Sequence, residues 1–210
     1  MEIHAPHRPI SSLKEGLVHL TLITLGVMIA LSFEGIASWR EHRALVREAR
    51  ANLASEIRDN MNELSNRLKN IPTERQNIDR VHEVLTTLMQ HRQVQGPVGL
   101  GFDTADLRDA SHATAQVTGA FALMDYDEVK NYASVYEKQA LYVRLHNEAF
   151  QTVSGTLALA DILARHETPS TRELDDLRQQ FRRMSAWLTI EEQIGGALLK
   201  DYERVLQERP

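Results

Sequence analysis

From Leu17 to Ala37 (LVHLTLITLGVMIALSFEGIA) the chain runs 21 residues with one formal charge, Glu34. At 1.5 Å per helical residue this stretch reaches roughly 31 Å, about the thickness of a bilayer's hydrocarbon core. It is apolar nearly all round, whereas the segments after it are amphipathic, so it reads as a transmembrane helix over residues 16–38 rather than a soluble core helix. The run is longer than the apolar region of a usual signal peptide. Only Arg8 and Lys14 precede it as basic residues, and Glu34, Trp39 and arginines follow instead of a clear small-residue cleavage site, so a retained anchor is expected. Residues 1–15, with Pro6 and Pro9, read as a polar tail.

Past the span, an apolar stripe at Leu45, Ala49, Leu53, Ile57, Met61, Leu64 and Leu68 recurs every three or four residues, the spacing of a helix with one buried face. The membrane helix is therefore expected to continue as a stalk to about Asn70 and to end at Pro72. A second helix follows over Thr73–Arg92, carrying Ile78, Val81, Leu85 and Leu88. Val94–Phe102, with three glycines and Pro97, reads as a loop. A short helix over Ala105–Leu123, bent at Gly119, comes next. Asp125 with Glu128 suggests a capping box, in which each side chain satisfies a free amide of the first turn. The helix it opens is expected to reach about His166, with Val129, Tyr132, Tyr136, Ala140, Val143, Phe150, Val153 and Leu157 on one face. A second box, Ser170 with Glu173, opens the last helix, striped by Leu174, Leu177, Phe181, Met184, Leu188, Leu198, Tyr202 and Val205. Gly195-Gly196 in its middle marks a kink or a close helix crossing. No segment alternates with period two. The expected architecture is all-α: one N-terminal transmembrane helix continuing into a soluble antiparallel helical bundle of about four long helices, residues 39–210.

A net charge of −5 argues against nucleic acid as a partner, which wants a basic surface. The RQQFRR cluster (Arg178–Arg183) sits beside acidic residues and reads as a solvated helix face. With no cysteine, disulfides, thiol catalysis and cysteine-ligated metals are excluded. Arg40, Arg43, Arg47 and Arg50 after the span outnumber Arg8 and Lys14 before it, which favours a cytoplasmic domain. A short N-terminal tail that stays inside favours the reverse, and the side of the domain is left open.

Glu34 is the sharpest candidate residue, because an ionisable group at membrane depth must reach water or a partner. Trp39 suits the aromatic belt at a membrane surface, and Arg40 and Arg43 suit lipid phosphates. Gly26 and Ala30 form a small-xxx-small pair that admits a neighbouring helix closely. The nine histidines form no HExxH or Glu-x-x-His pattern, GxSxG is missing, and the Gly-rich loop lacks the Lys-Ser/Thr of a phosphate-binding loop. No cofactor, metal or catalytic residue is expected. The most distinctive soluble stretch, His112–Gln139, reads first as tight packing; Gly119, Tyr132 and Tyr136 are its candidates for a ligand or partner groove.

Two stretches carry a resemblance. LGVMIALSFEGIASWREHRALVREARANLASEIRDNMNEL resembles the start of a group of uncharacterised bacterial single-pass proteins, in which an apolar helix runs into a charged one. AQVTGAFALMDYDEVKNYASVYEKQ resembles a later segment of related proteins. The resemblance covers about a third of the chain. It implies a bacterial inner-membrane anchor and a helical domain of unknown function, and it transfers no catalytic residue. The function expected is that of a non-enzymatic, membrane-anchored interaction protein: an accessory subunit of a larger membrane complex, or a homo-oligomer. The bilayer and another membrane protein, or a second copy, are its partners. The alternative is a sensory or ligand-binding bundle signalling through the stalk.

Overall fold

The computed structural model describes residues 13–96, 98, 101, 103–150, 154–164 and 169–207. Every regular element among them is helical: α1 (Leu13–Met89), α2 (Ala110–Val117), a 3₁₀ turn (Ala120–Leu123), α3 (Tyr126–Phe150), α4 (Ser154–Ala164) and α5 (Thr171–Gln207). The chain divides into two compact units, Met1–Glu48 and Ala49–Pro210.

In the first unit, α1 is long and apolar enough to cross a membrane, and it is a candidate span on that ground. Its most apolar window has a mean hydropathy of 2.0 and no buried residue. Leu22 and Phe33, for example, are 68% and 70% exposed. The few hydroxyls here turn back on their own helix: Thr21, Thr24 and Ser32 donate to the carbonyls of Leu17, Leu20 and Met28 at 2.7–2.8 Å. That leaves the apolar surface without unsatisfied hydroxyl donors.

The second unit is built on a heptad spacing shared by three helices. On α1 the buried positions include Leu53, Ile57, Asn60, Leu64, Arg67, Ile71, Glu74, Ile78, Val81 and Leu85, a seam of alternating steps of four and three. On α5 they are Leu174, Leu177, Phe181, Met184, Leu188, Glu191, Gly195, Leu198, Tyr202 and Val205, with the same alternation. Tyr132, Val135, Gln139, Tyr142 and His146 continue it on α3. A 3.5-residue repeat keeps one seam facing a neighbouring helix over many turns. Contact order gives the directions. Arg50 meets Glu128, Glu56 meets Tyr136 and Asn60 meets Gln139, so α1 and α3 run the same way. Arg67 meets Glu191 and Thr86 meets Arg178, while Tyr142 meets Glu191 and Gln139 meets Tyr202, so α5 runs against both. Toward the end of α1 the core is apolar, with Ile71, Ile78, Val81 and Leu85 against Leu159 and Ile162 of α4 and Leu174, Leu177, Phe181, Met184 and Leu188 of α5.

Several expectations change. Pro72 does not end the first helix: α1 continues to Met89 as 77 residues, so the separate helix expected over Thr73–Arg92 is its last 17 residues, Thr73–Met89. Proline removes one backbone hydrogen bond and crowds the preceding turn, a local cost of about 3 kcal/mol. Here Arg67 and Glu74 clasp each other across it and Ile71 beside it is fully buried, so tertiary contacts outweigh the breaker. Long helices therefore number three rather than about four, and two of them are parallel. Of the helix expected from Asp125 to His166, the described residues form α3 and α4, and His166 lies outside them. Val153 lies outside the described residues, and Leu157 is 74% exposed. Residues 103–109 are irregular rather than helical. Asp125 does cap α3 by accepting the Asp127 amide at 2.9 Å, but Glu128 pairs with Arg50 instead of completing a box. Ser170 and Glu173 do form the reciprocal box. At Gly195-Gly196 the close crossing applies to Gly195, where a Cβ would stand 2.9 Å from Leu68 and 3.3 Å from Tyr142.

Candidate functional site

Midway along the second unit the heptad seams place charge where a core would ordinarily be apolar. Arg67 donates in bidentate fashion to Glu191 (Nε–Oε1 3.0 Å, Nη2–Oε2 2.8 Å) and to Glu74 (both contacts 3.0 Å). Glu191 also accepts the Tyr142 hydroxyl at 2.9 Å and His146 Nδ1 at 2.8 Å. Because an ionised carboxylate only accepts, His146 donates from Nδ1, and its other ring nitrogen is Nε2. That Nε2 is buried without a hydrogen-bond partner. Burial works to raise the Glu191 carboxyl, but His146, the charge of Arg67 and the Tyr142 hydroxyl outweigh it and hold the carboxyl below its ordinary value. Glu74 goes the other way, because its burial exceeds the help it receives from the Asp103 amide and Arg67. Burial lifts the Tyr142 hydroxyl far above the usual tyrosine range, reinforced by Glu191. All five residues are at most 6% exposed.

One heptad step toward the N-terminus, a second polar layer locks residues 103–111 against α1 and α3. Asn60 mimics a peptide group: its Oδ1 accepts the Arg108 amide at 2.8 Å and its Nδ2 donates to the Arg108 carbonyl at 2.7 Å. Gln139 donates to the same carbonyl, while its oxygen accepts from Asn60 and from the Tyr202 hydroxyl. Glu56 takes the Tyr136 hydroxyl at 2.7 Å and the Ser111 amide at 2.8 Å. Glu74 accepts the Asp103 amide. An irregular segment on a protein surface must find partners for its backbone groups, and these α1 side chains supply them.

The expected groove residues fall beside this layer. Tyr132 and Tyr136 are buried; Tyr136 stacks on His112 at 4.4 Å and Tyr132 on Phe121 at 6.4 Å. Burial holds the His112 imidazole below its ordinary value. Gly119 is exposed and supplies the positive φ (75°) that ends α2 and starts the 3₁₀ turn. Tyr136 also borders an open cleft of about 580 Å³ between residues 107–109 and α3, lined further by Ala140, Val143, Arg144, Asn147 and Glu148. Its volume is within the range of small-molecule sites. Gly26, Ala30, Glu34, Trp39, Arg40 and Arg43 all lie exposed on α1 in the first unit, and the Arg43 guanidinium stacks over the Trp39 ring at 4.4 Å.

Neither Arg67 nor Glu74 was singled out from the sequence; the seven-residue steps from Asn60 to Arg67 to Glu74 were the available signal. The charge cluster is closed to solvent; Arg67 links α1 to α5 through Glu191, and Tyr142 and His146 bring α3 onto the same carboxylate. Among the described residues no group of three or more His, Asp or Glu side chains is placed to hold a metal ion. The chain matches no protein-family model, no curated protein and no solved structure.

Proposed function

We propose that this protein is a single-pass bacterial inner-membrane protein without enzymatic activity, whose apolar helix anchors it and docks a helix of another membrane protein. The observation that carries the reading is the exposure of the apolar window of α1, none of which is buried among the described residues. Lipid is the natural cover for such a surface. On one side of the same helix, Gly26, Ala30, Glu34, Ala37, Glu41, Ala44 and Glu48 recur at steps of three and four, all exposed. Small residues there let another helix approach closely, and each glutamate wants a basic counterpart. A parallel second copy on this stripe would set Glu34, Glu41 and Glu48 against their own equivalents, so a different protein with matching Lys or Arg fits better. The second unit, a helical bundle whose buried charges face one another, then serves as the partner-binding body.

The cleft beside Tyr136 favours a second reading, a ligand-binding bundle. It would gain force if the purified domain retained a small molecule there. The test of the leading proposal has two arms. Alkaline carbonate extraction of cell membranes is expected to leave the full chain in the pellet; release into the supernatant would refute the anchor. Mild-detergent pull-down with mass spectrometry is expected to recover a defined membrane protein that is lost in A30L/E34Q. Recovery of monomer alone would refute the interaction.

A further inference from the structure

Beyond the apolar window, α1 is charge-segregated. At 100° per residue, Arg40, Arg43 and Arg47 fall within an arc of roughly 60°, while Glu41 and Glu48 lie about 110–130° away from its centre. All three arginines are exposed. Among the described residues no ion pair involves any of them. The next arginine, Arg50, differs: Glu128 holds it at 2.7 Å. Trp39, the residue suited to a bilayer surface, flanks the same arc and carries the Arg43 guanidinium on its ring face.

We propose, resting on the membrane-anchor reading above, that Arg40, Arg43 and Arg47 form a binding stripe for anionic phospholipid headgroups in the leaflet where α1 leaves the bilayer. Helical side chains lean toward the helix N-terminus, which here is the membrane side. The three guanidinium groups therefore bend back toward the headgroups rather than out into solution. With a rise of 1.5 Å per residue, Arg40 and Arg43 begin about 1.5 and 6 Å beyond Trp39, within the roughly 5–7 Å polar layer of one leaflet. Arg47 starts about 12 Å out and reaches the layer's outer edge by the same lean. Guanidinium forks match phosphate oxygens in bidentate geometry, and Arg43 is already oriented by its stack on Trp39. Glu41 and Glu48 are turned to another side of the helix, and Glu128, which meets the helix at Arg50, is held by that arginine. Lipids with a net negative headgroup are thus drawn to one side of the helix, leaving the glutamate side to a protein.

The test is native mass spectrometry of the full-length protein in detergent, supplemented in turn with phosphatidylglycerol and phosphatidylcholine. Phosphatidylglycerol should be retained well above phosphatidylcholine. Each arginine near an anionic surface contributes roughly fivefold, so the R40Q/R43Q/R47Q variant should bind phosphatidylglycerol roughly a hundredfold more weakly. E41Q/E48Q should not weaken it. Circular dichroism of each variant checks that helix content is unchanged. Equal retention of the two lipids, or undiminished phosphatidylglycerol binding by the triple variant, overturns the proposal. The anchor is judged apart from this: carbonate extraction that leaves wild type and triple variant in the pellet, with no lipid discrimination, defeats the lipid stripe and spares the anchor. Release of the wild type defeats both.

Discussion

Arg67→Met is the perturbation that bears hardest on the internal logic of the second unit. The Arg67 side chain is fully buried, and its partners on Glu74 and Glu191 are 6% and 1% exposed. Methionine roughly keeps the apolar volume and removes four charge-assisted hydrogen bonds. Glu191 retains Tyr142 and His146, whereas Glu74 retains the Asp103 amide. Two carboxylates are then left in a dry interior without a counter-charge, and breaking a buried pair in this way costs about 3–5 kcal/mol. Most of that penalty comes from the stranded carboxylates rather than from the pair's net worth. Removing the stranded charges as well, in R67M/E74Q/E191Q, should therefore recover about half or more of the loss. Urea unfolding of the full-length protein in mild detergent, followed by far-ultraviolet circular dichroism at pH 7, measures both values. A single variant within about 1 kcal/mol of wild type, or a triple variant no better than the single, would refute the reasoning.

The remaining expectations concern packing, pH and capping. Gly195→Ala drives a Cβ into Leu68 and Tyr142, while Gly196→Ala meets nothing within 4 Å. Alanine gains about 1 kcal/mol of helix propensity at either site and overpacking costs about 1–3 kcal/mol, so only the second substitution should raise the melting temperature. Burial holds His112 below 6.5, and burial together with Arg182 does the same for His82. The folded state therefore binds these protons less tightly than the unfolded chain, and stability present above about pH 6.5 is lost as pH falls through the lowered values. Melting scans from pH 7.5 to 5 should show that decline, and it should be shallower in His112→Phe. The contribution of Glu191 lies in a lower window, because its depressed carboxyl loses stabilisation only as pH falls below the ordinary 4.5. Ser170→Ala dismantles the box that opens α5 and should cost about 1 kcal/mol in the same melts.

Much of the last helix was legible, since its eight apolar stripe residues are all buried. The gap in that stripe was filled by Glu191 and Gly195, which hydropathy counts as surface or breaker. The same bias shifted the reading of α1: Met61 and Leu68 were preferred to Asn60 and Arg67 because they are apolar, although the heptad rhythm runs through the polar pair. On α3 it favoured Ala140 and Val143 over Gln139 and Tyr142. A polar residue belongs in a seam only when a partner from a distant element satisfies it, and a single sequence does not display that partner. Pro72 misled for a related reason, since local propensity marks a breaker while the contacts that override it come from residues far along the chain. Tyr136, Tyr142 and Tyr202 needed hydroxyl partners wherever they were buried, and they find them in Glu56, Glu191 and Gln139.

Site-specific photocrosslinking within native membranes addresses the central proposal most directly. A photoreactive residue replaces Ala30, on the Gly26–Glu34 side, or Met28, about 160° round the helix from Ala30. The expected result is one discrete crosslinked protein of higher mass from position 30 and lipid adducts alone from position 28. Lipid adducts alone from both positions would contradict a docked partner, and water-quenched label at both would contradict a membrane helix.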